Sequence, residues 1–136
     1  MTQRPVPVPD EVSAPFWTAA DNGSLVVQRC STCQDLQYPP DITCQRCHGD
    51  DLSFIEVSGR GQVYSFATVD RAFHQAFADR LPYVVALIEL EEDSKVRLFT
   101  NIVDTDLESV RVGMPVEVTF RASGDRMLPQ FRGVPQ

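Results

Sequence analysis

Apolar and polar positions follow three different rhythms along this chain. Between Asp10 and Ala20, Val12, Phe16, Ala19 and Ala20 recur at near-helical spacing behind an acidic start, and Asn22–Gly23 supplies a stop signal. The pattern predicts one short helix. Its Phe16–Trp17 pair is expected to pack onto the chain's own core, with Trp17 the residue that would face a partner instead. Leu25–Val27 and Leu52–Val57 then read as short strands bracketing a turn-rich segment.

From Ser58 onward the signal becomes repeated strands separated by turns. Gln62–Val69 is rich in β-branched and aromatic residues, with Gly59 and Gly61 ahead of it marking a bend or bulge. Tyr83–Leu90 and Lys95–Val103, joined by the Glu91–Ser94 turn, form a predicted hairpin. Gly113-Met114-Pro115 introduces Val116–Arg121, where Val116, Val118 and Phe120 share one face, and Leu128–Val134 is the last run. Ala72–Asp79 and Thr105–Val110 each have room for a helical turn. Five short strands without long helices between them predict a small antiparallel barrel rather than a parallel sheet. The expected organisation is a leader and helix over 1–23, a cysteine-bearing module over 24–57 and a barrel over 58–136.

Composition narrows the function. The 136 residues are 43% hydrophobic and 23% charged, as in an ordinary folded domain. Twelve Lys+Arg against nineteen Asp+Glu give a net charge of -7, which opposes binding to a phosphate backbone. Met1–Asp10 is Pro-rich and does not read as a secretory signal, and no run approaches the roughly 18 apolar residues of a membrane span. The expected location is the cytoplasm, a reducing compartment where paired cysteines are metal ligands more often than disulfides.

The four cysteines form two such pairs. Cys30-Ser31-Thr32-Cys33 and Cys44-Gln45-Arg46-Cys47 stand ten residues apart, with Pro39-Pro40 stiffening the connection. A two-residue gap lets both thiolates of a tight turn face one point at roughly 2.3 Å, and two such turns close a tetrahedron around zinc. One structural zinc is therefore expected on Cys30, Cys33, Cys44 and Cys47. The filled shell leaves no coordination position for a substrate. Iron in the same sulfur site is the remaining chemical competitor. Cys44–His48 also fits the haem-attachment pattern, but that would leave the first pair unexplained. A thioredoxin-like redox pair would need one C-x-x-C beside a βαβ pattern, which is absent. His48 is expected at the surface or behind the ligands rather than as a fifth donor.

No catalytic set is legible. His74, the other histidine, lies in the predicted crossover after the first barrel strand, where solvation or packing is the simpler role. Nucleophile elbow, P-loop and dinucleotide fingerprint are all missing. Asp50-Asp51 and Glu91-Glu92-Asp93 read as solvated turns. Arg60, Arg71, Arg80, Arg97, Arg121, Arg126 and Arg132 fall in the barrel segment, where one could meet a phosphate or carboxylate.

Seven ordered motifs then carry a family resemblance. They are Arg29-Cys30-x-x-Cys33, Tyr38-Pro39-Pro40, Cys44-x-x-Cys47, Gly59-x-Gly61-x-Val63-Tyr64-Ser65-Phe66, Pro82–Leu87, Gly113–Val116 and Leu128-Pro129-x-Phe131. From about Phe16 to Phe131 the chain resembles the acyl-CoA-associated OB-fold family with a rubredoxin-like zinc ribbon, catalogued as domain of unknown function 35. It departs from that pattern at Gln34, where the family often has glycine, and at Asp41, where it often has arginine. The resemblance implies a mainly β fold: a short N-terminal helix, a zinc ribbon and a five-stranded OB barrel. It also implies a non-catalytic accessory subunit of a thiolase-like enzyme, either a thiolase or a thiolase-type aldolase, acting on acyl-CoA in steroid side-chain or fatty-acid metabolism. The partner, sometimes an acyl-CoA hydratase, would supply the reacting groups, with acyl-CoA at the shared interface. The alternative from a different class is a single-stranded nucleic-acid binder, for which Tyr64, Phe66, Phe99 and Phe131 would be stacking platforms unless they are core. A stand-alone thioesterase or hydratase using His74 is the third reading.

Overall fold

The computed structural model describes residues 7–71 and 81–134. Helix α1 covers Ala14–Asp21 and starts later than the apolar spacing predicts. The reason is local: Asp10 and Ser13 exchange side-chain and backbone hydrogen bonds of 3.1 and 2.7 Å, so the preceding residues form a capping turn. Pro15 then sits in the first turn, where its missing N–H costs nothing. At the other end Gly23 adopts φ 80°, and the Ser24 and Gly23 N–H groups close back on the Ala19 and Ala20 carbonyls.

Strands β1 (Val26–Cys30), β2 (Leu36–Gln37) and β3 (Leu52–Glu56) make a small antiparallel sheet with β1 in the centre. The two-residue β2 is too short to announce itself as an alternating run. Strands β4 (Arg60–Val69), β5 (Tyr83–Leu90), β6 (Asp93–Ile102), β7 (Pro115–Ser123) and β8 (Arg126–Gly133) close a barrel in the order β4-β5-β6-β8-β7. All its pairings are antiparallel except β6 with β8, which meet in parallel at Ile102 and Phe131. This is the OB arrangement the motifs imply, with a 3-10 turn at Leu107–Ser109 inside the predicted Thr105–Val110 segment. The other predicted crossover turn, Ala72–Asp79, lies outside the described residues.

Alternation explains the barrel interior. In β5, Val84, Ala86, Ile88 and Leu90 point inward, and β6 adds Val96, Leu98 and Ile102. Phe131 and Val116, fully buried, fill the space under β7 and β8. The glycine signal needs refinement: the register shift falls between Val63 and Ser65, at Tyr64, rather than at Gly59 or Gly61. The two glycines instead allow close approach. A Cβ on Gly61 would lie 2.1 Å from the Glu89 carbonyl oxygen, and one on Gly59 would lie 2.3 Å from Val118 Cγ1.

Helix, sheet and barrel share one core. Phe16, Leu25, Val27 and Val57 belong to the same continuous buried cluster as Val63, Ile88, Leu98 and Phe131. Phe16 stacks edge-on with Trp17 at 5.0 Å and contacts Tyr38 at 5.4 Å. The aromatic pair therefore packs on its own chain, as expected. Arg126 meets Asp21 at 2.6 Å, and the Met127 N–H donates to the same carboxylate, tying α1 to β8. Lys95 reaches Asp35 at 3.1 Å, joining barrel to sheet. Among the described residues no helix is long and apolar enough to cross a membrane.

Candidate metal centre

Both C-x-x-C segments fold into the same turn. The Gln34 N–H donates to the Cys30 carbonyl at 2.8 Å and the Cys30 N–H to the Asp35 carbonyl at 3.0 Å. In the second turn the His48 N–H donates to Cys44 at 3.0 Å, and the Cys44 N–H to Gly49 at 2.7 Å. The residue after each pair must turn left-handed for this closure, and Gln34 and His48 adopt φ 66° and 64°. Glycine reaches that conformation at least cost, and here glutamine and histidine adopt it instead.

The two turns bring all four sulfurs together. Cys30 and Cys47 Sγ lie 3.5 Å apart and Cys33 and Cys44 Sγ 3.6 Å apart. All four lie within 4.8 Å of one another, with no disulfide among them. A tetrahedron with metal–sulfur bonds of about 2.3 Å has edges of about 3.8 Å, so the donor set and its spacing fit zinc. Cys30 and Cys44 are buried, Cys33 is half-buried and Cys47 faces solvent.

Backbone dipoles favour thiolate at the first cysteine of each turn. The Cys47 and Arg46 N–H groups point at Cys44 Sγ from 3.5 and 3.4 Å and hold its thiol down to about 6. Cys33 and Thr32 act in the same way on Cys30, which is also lowered. At Cys47 the Gly49 N–H pulls downward, but hydrogen bonding to the neighbouring sulfurs, Cys30 first, together with partial desolvation outweighs it and pushes the thiol up to about 12. Four protonatable sulfurs at such spacing cannot all carry charge without a cation between them.

The remaining sequence candidates do not converge on this centre. His48 is exposed, while His74 and Arg80 lie outside the described residues. Arg97, Arg121, Arg126 and Arg132 are paired with Glu89, Asp104, Asp21 and Glu117 of the same chain. Of the four aromatics considered as stacking platforms, Phe131 is core, while Tyr64, Phe66 and Phe99 are exposed, Phe99 at 70%. Tyr64 follows the inward Val63 and so faces outward, and Phe99 sits opposite Leu87 on the outer side of β5. Arg97 lies 3.8 Å over the Tyr64 ring and contacts Glu89 at 3.5 Å, so its charge is already engaged. Of the acidic turns, Asp50, Asp51, Glu91 and Glu92 are exposed as expected, although Glu92 also accepts the Ser58 N–H at 2.6 Å. Sequence reasoning missed Gln28 and Gln37, two buried amides beside the cysteines. Their only sequence signal is a polar residue within each of two short strands.

Family models settle the classification. The rubredoxin-like zinc ribbon domain of ChsH2 matches residues 17–53, and the C-terminal OB-fold domain of ChsH2 matches residues 54–121. The chain belongs to the ChsH2-type DUF35 family. It is 40% identical over 135 residues to the probable enoyl-CoA hydratase alpha subunit of Thermomonospora curvata, covering 98% of this chain and 41% of that subunit. It therefore spans about two fifths of that relative's length. It is 38% identical over 98 residues to a DUF35 domain-containing scaffold protein of Methanocaldococcus jannaschii, covering 71% of this chain and 67% of the relative. Over 68 residues it is 32% identical to the benzoylsuccinyl-CoA thiolase subunit BbsA of Thauera aromatica, covering 50% of this chain and 45% of the subunit. A solved structure described as the Ltp2-ChsH2(DUF35) aldolase superposes with a TM-score of 0.84 at 37% identity, covering 94% of this chain and 98% of that one. The family and OB-ribbon fold implied by the motifs are thus correct, and the nucleic-acid alternative is not favoured.

Proposed function

We propose that this chain is a non-catalytic accessory subunit of a thiolase-like enzyme, a thiolase or thiolase-type aldolase, that acts on acyl-CoA. The observation that carries this reading is the nearly full-length superposition on the DUF35 chain of an aldolase complex. Relatives named for hydratase, scaffold and thiolase roles share the module. A module that recurs beside different reactions is best understood as support for a partner that holds the reacting groups. Steroid side-chain or fatty-acid acyl-CoA is the substrate class, the cytoplasm is the compartment, and acyl-CoA lies at the shared interface.

In this reading Cys30, Cys33, Cys44 and Cys47 hold one zinc. When bound, the metal supplies a cross-link between the two turns and no reactive position. The chain's own contribution is to present a rigid ribbon and barrel surface to the partner. Co-expression with the thiolase-like and hydratase subunits of its own organism tests the proposal. The expected result is a co-purifying complex whose acyl-CoA turnover requires both chains. A partner that is stable and fully active alone, with turnover unchanged when this chain is added, overturns it.

A further inference from the structure

The second cysteine turn is held by more than its own hydrogen bonds. Gln28, on β1 two residues before Cys30, and Gln37, its cross-strand partner on β2, are buried side by side, 4% and 6% exposed. Gln37 Nε2 donates to Gln28 Oε1 at 2.8 Å and to the Thr43 carbonyl at 3.1 Å, while Gln37 Oε1 accepts the Gln45 N–H at 2.8 Å. One side chain therefore grips the residues on both sides of Cys44. Gln28 grips Asp41 in the same way: its Oε1 accepts the Asp41 N–H at 2.8 Å and its Nε2 donates to the Asp41 carbonyl at 2.9 Å.

Buried amides are expensive unless their polar atoms are paired. Here the pairing is spent on one loop, 41–45, whose job is to place Cys44 opposite a strand that already carries Cys30. None of these five hydrogen bonds involves a sulfur. We propose that Gln28 and Gln37 are positioning residues of the metal centre, setting Cys44 against Cys30 before any metal arrives. The metal then enters a half-built site and does not have to order the second turn itself. The inference rests on the reading that the four cysteines hold a metal.

The test uses the full chain loaded with zinc, with affinity measured by chelator competition well below the unfolding temperature. Gln37→Leu is expected to weaken zinc binding about 10- to 100-fold, the range seen when groups that orient metal ligands are removed. Val116→Ala, a barrel-core variant, lowers the unfolding temperature but leaves zinc affinity within about twofold of wild type, because a general loss of stability does not act on this loop. Equal zinc affinity in Gln37→Leu and wild type overturns the inference, while a wild type that retains no zinc overturns the metal reading beneath it. Amide exchange on the wild-type chain, before and after zinc is stripped, needs no variant. Protection of the Asp41 and Gln45 amides is expected in both states; its loss on stripping overturns the proposal.

Discussion

A single methyl group at Gly61 tests how tightly the barrel is closed. Gly61 lies in β4 opposite Leu90 of β5 and Val116 of β7, so both edges of its backbone are engaged. Its Cβ would fall 2.1 Å from the Glu89 carbonyl oxygen and 3.1 Å from Ile88 Cγ2. Ordinary contact requires β4 to retreat by about 1 Å, enough to break the hydrogen bonds around that register position. Two lost ladder bonds cost about 1 kcal/mol each, and overpacking beside a fully buried isoleucine adds about 1–3 kcal/mol. The total of about 3–5 kcal/mol lowers Tm by on the order of 10–15 °C in a domain of this size. Gly113→Ala is the control: its φ is 85° but nothing lies within 4 Å, so only left-handed strain of about 1–2 kcal/mol remains. Gly59→Ala combines φ 81° with a collision against the movable Val118 side chain and should fall between the two. Thermal unfolding of zinc-loaded protein by far-ultraviolet circular dichroism reads all three. Gly61→Ala and Gly113→Ala melting within about 2 °C of each other would refute the collision argument.

Purified protein should carry one zinc per chain, and less than about a tenth of an equivalent would defeat that assignment. Cys30→Ser or Cys47→Ser should lose the metal and destabilise the N-terminal half, since structural zinc contributes on the order of 10 kcal/mol to folding. Asp21→Ala removes the partner of both Arg126 and the Met127 N–H, which should loosen α1 by about 1 kcal/mol and shift the emission of Trp17, the single tryptophan, to longer wavelength; an unchanged spectrum and Tm would contradict the tie. The fragment 58–136 should aggregate or stay unfolded, because Phe16, Leu25 and Val27 complete the core it shares with the ribbon. A cooperative melt of that fragment matching the whole chain would show the core to be divisible.

Features governed by a local rule were legible before the structure. Strand β5 was bounded correctly, Tyr83–Leu90, because its alternation is uninterrupted and both flanks carry turn residues. The cysteine cluster was legible because two C-x-x-C turns leave few other arrangements for four thiols. The bulge was misplaced because glycine marks both bends and close approaches, and only the register at Val63 and Ser65 distinguishes them. Composition alone leaves the barrel aromatics open between core and stacking surface, because facing is decided by strand register: Tyr64 follows the buried Val63 and Phe99 the buried Leu98, whereas Phe131 falls on an inward position. Gln28 and Gln37 were invisible because their role depends on pairing across β1 and β2, and β2 has only two residues.

The departure at Gln34 shows how a sequence anomaly can become a structural contact. Left-handed backbone costs a non-glycine residue on the order of 1–2 kcal/mol, so glutamine at φ 66° is a burden when considered by conformation alone. Its side chain offsets that burden. Gln34 Nε2 donates to the Ser31 carbonyl at 2.7 Å, and Gln34 Oε1 accepts from the Arg29 guanidinium. Both bonds brace the first cysteine turn from outside, as Gln28 and Gln37 brace the second from within. The sulfur geometry is intact without glycine at either position: the 3.5 and 3.6 Å spacings match across the two turns even though neither Gln34 nor His48 is glycine. What the site requires at these positions is the backbone angle, and glycine is only the least costly way to reach it.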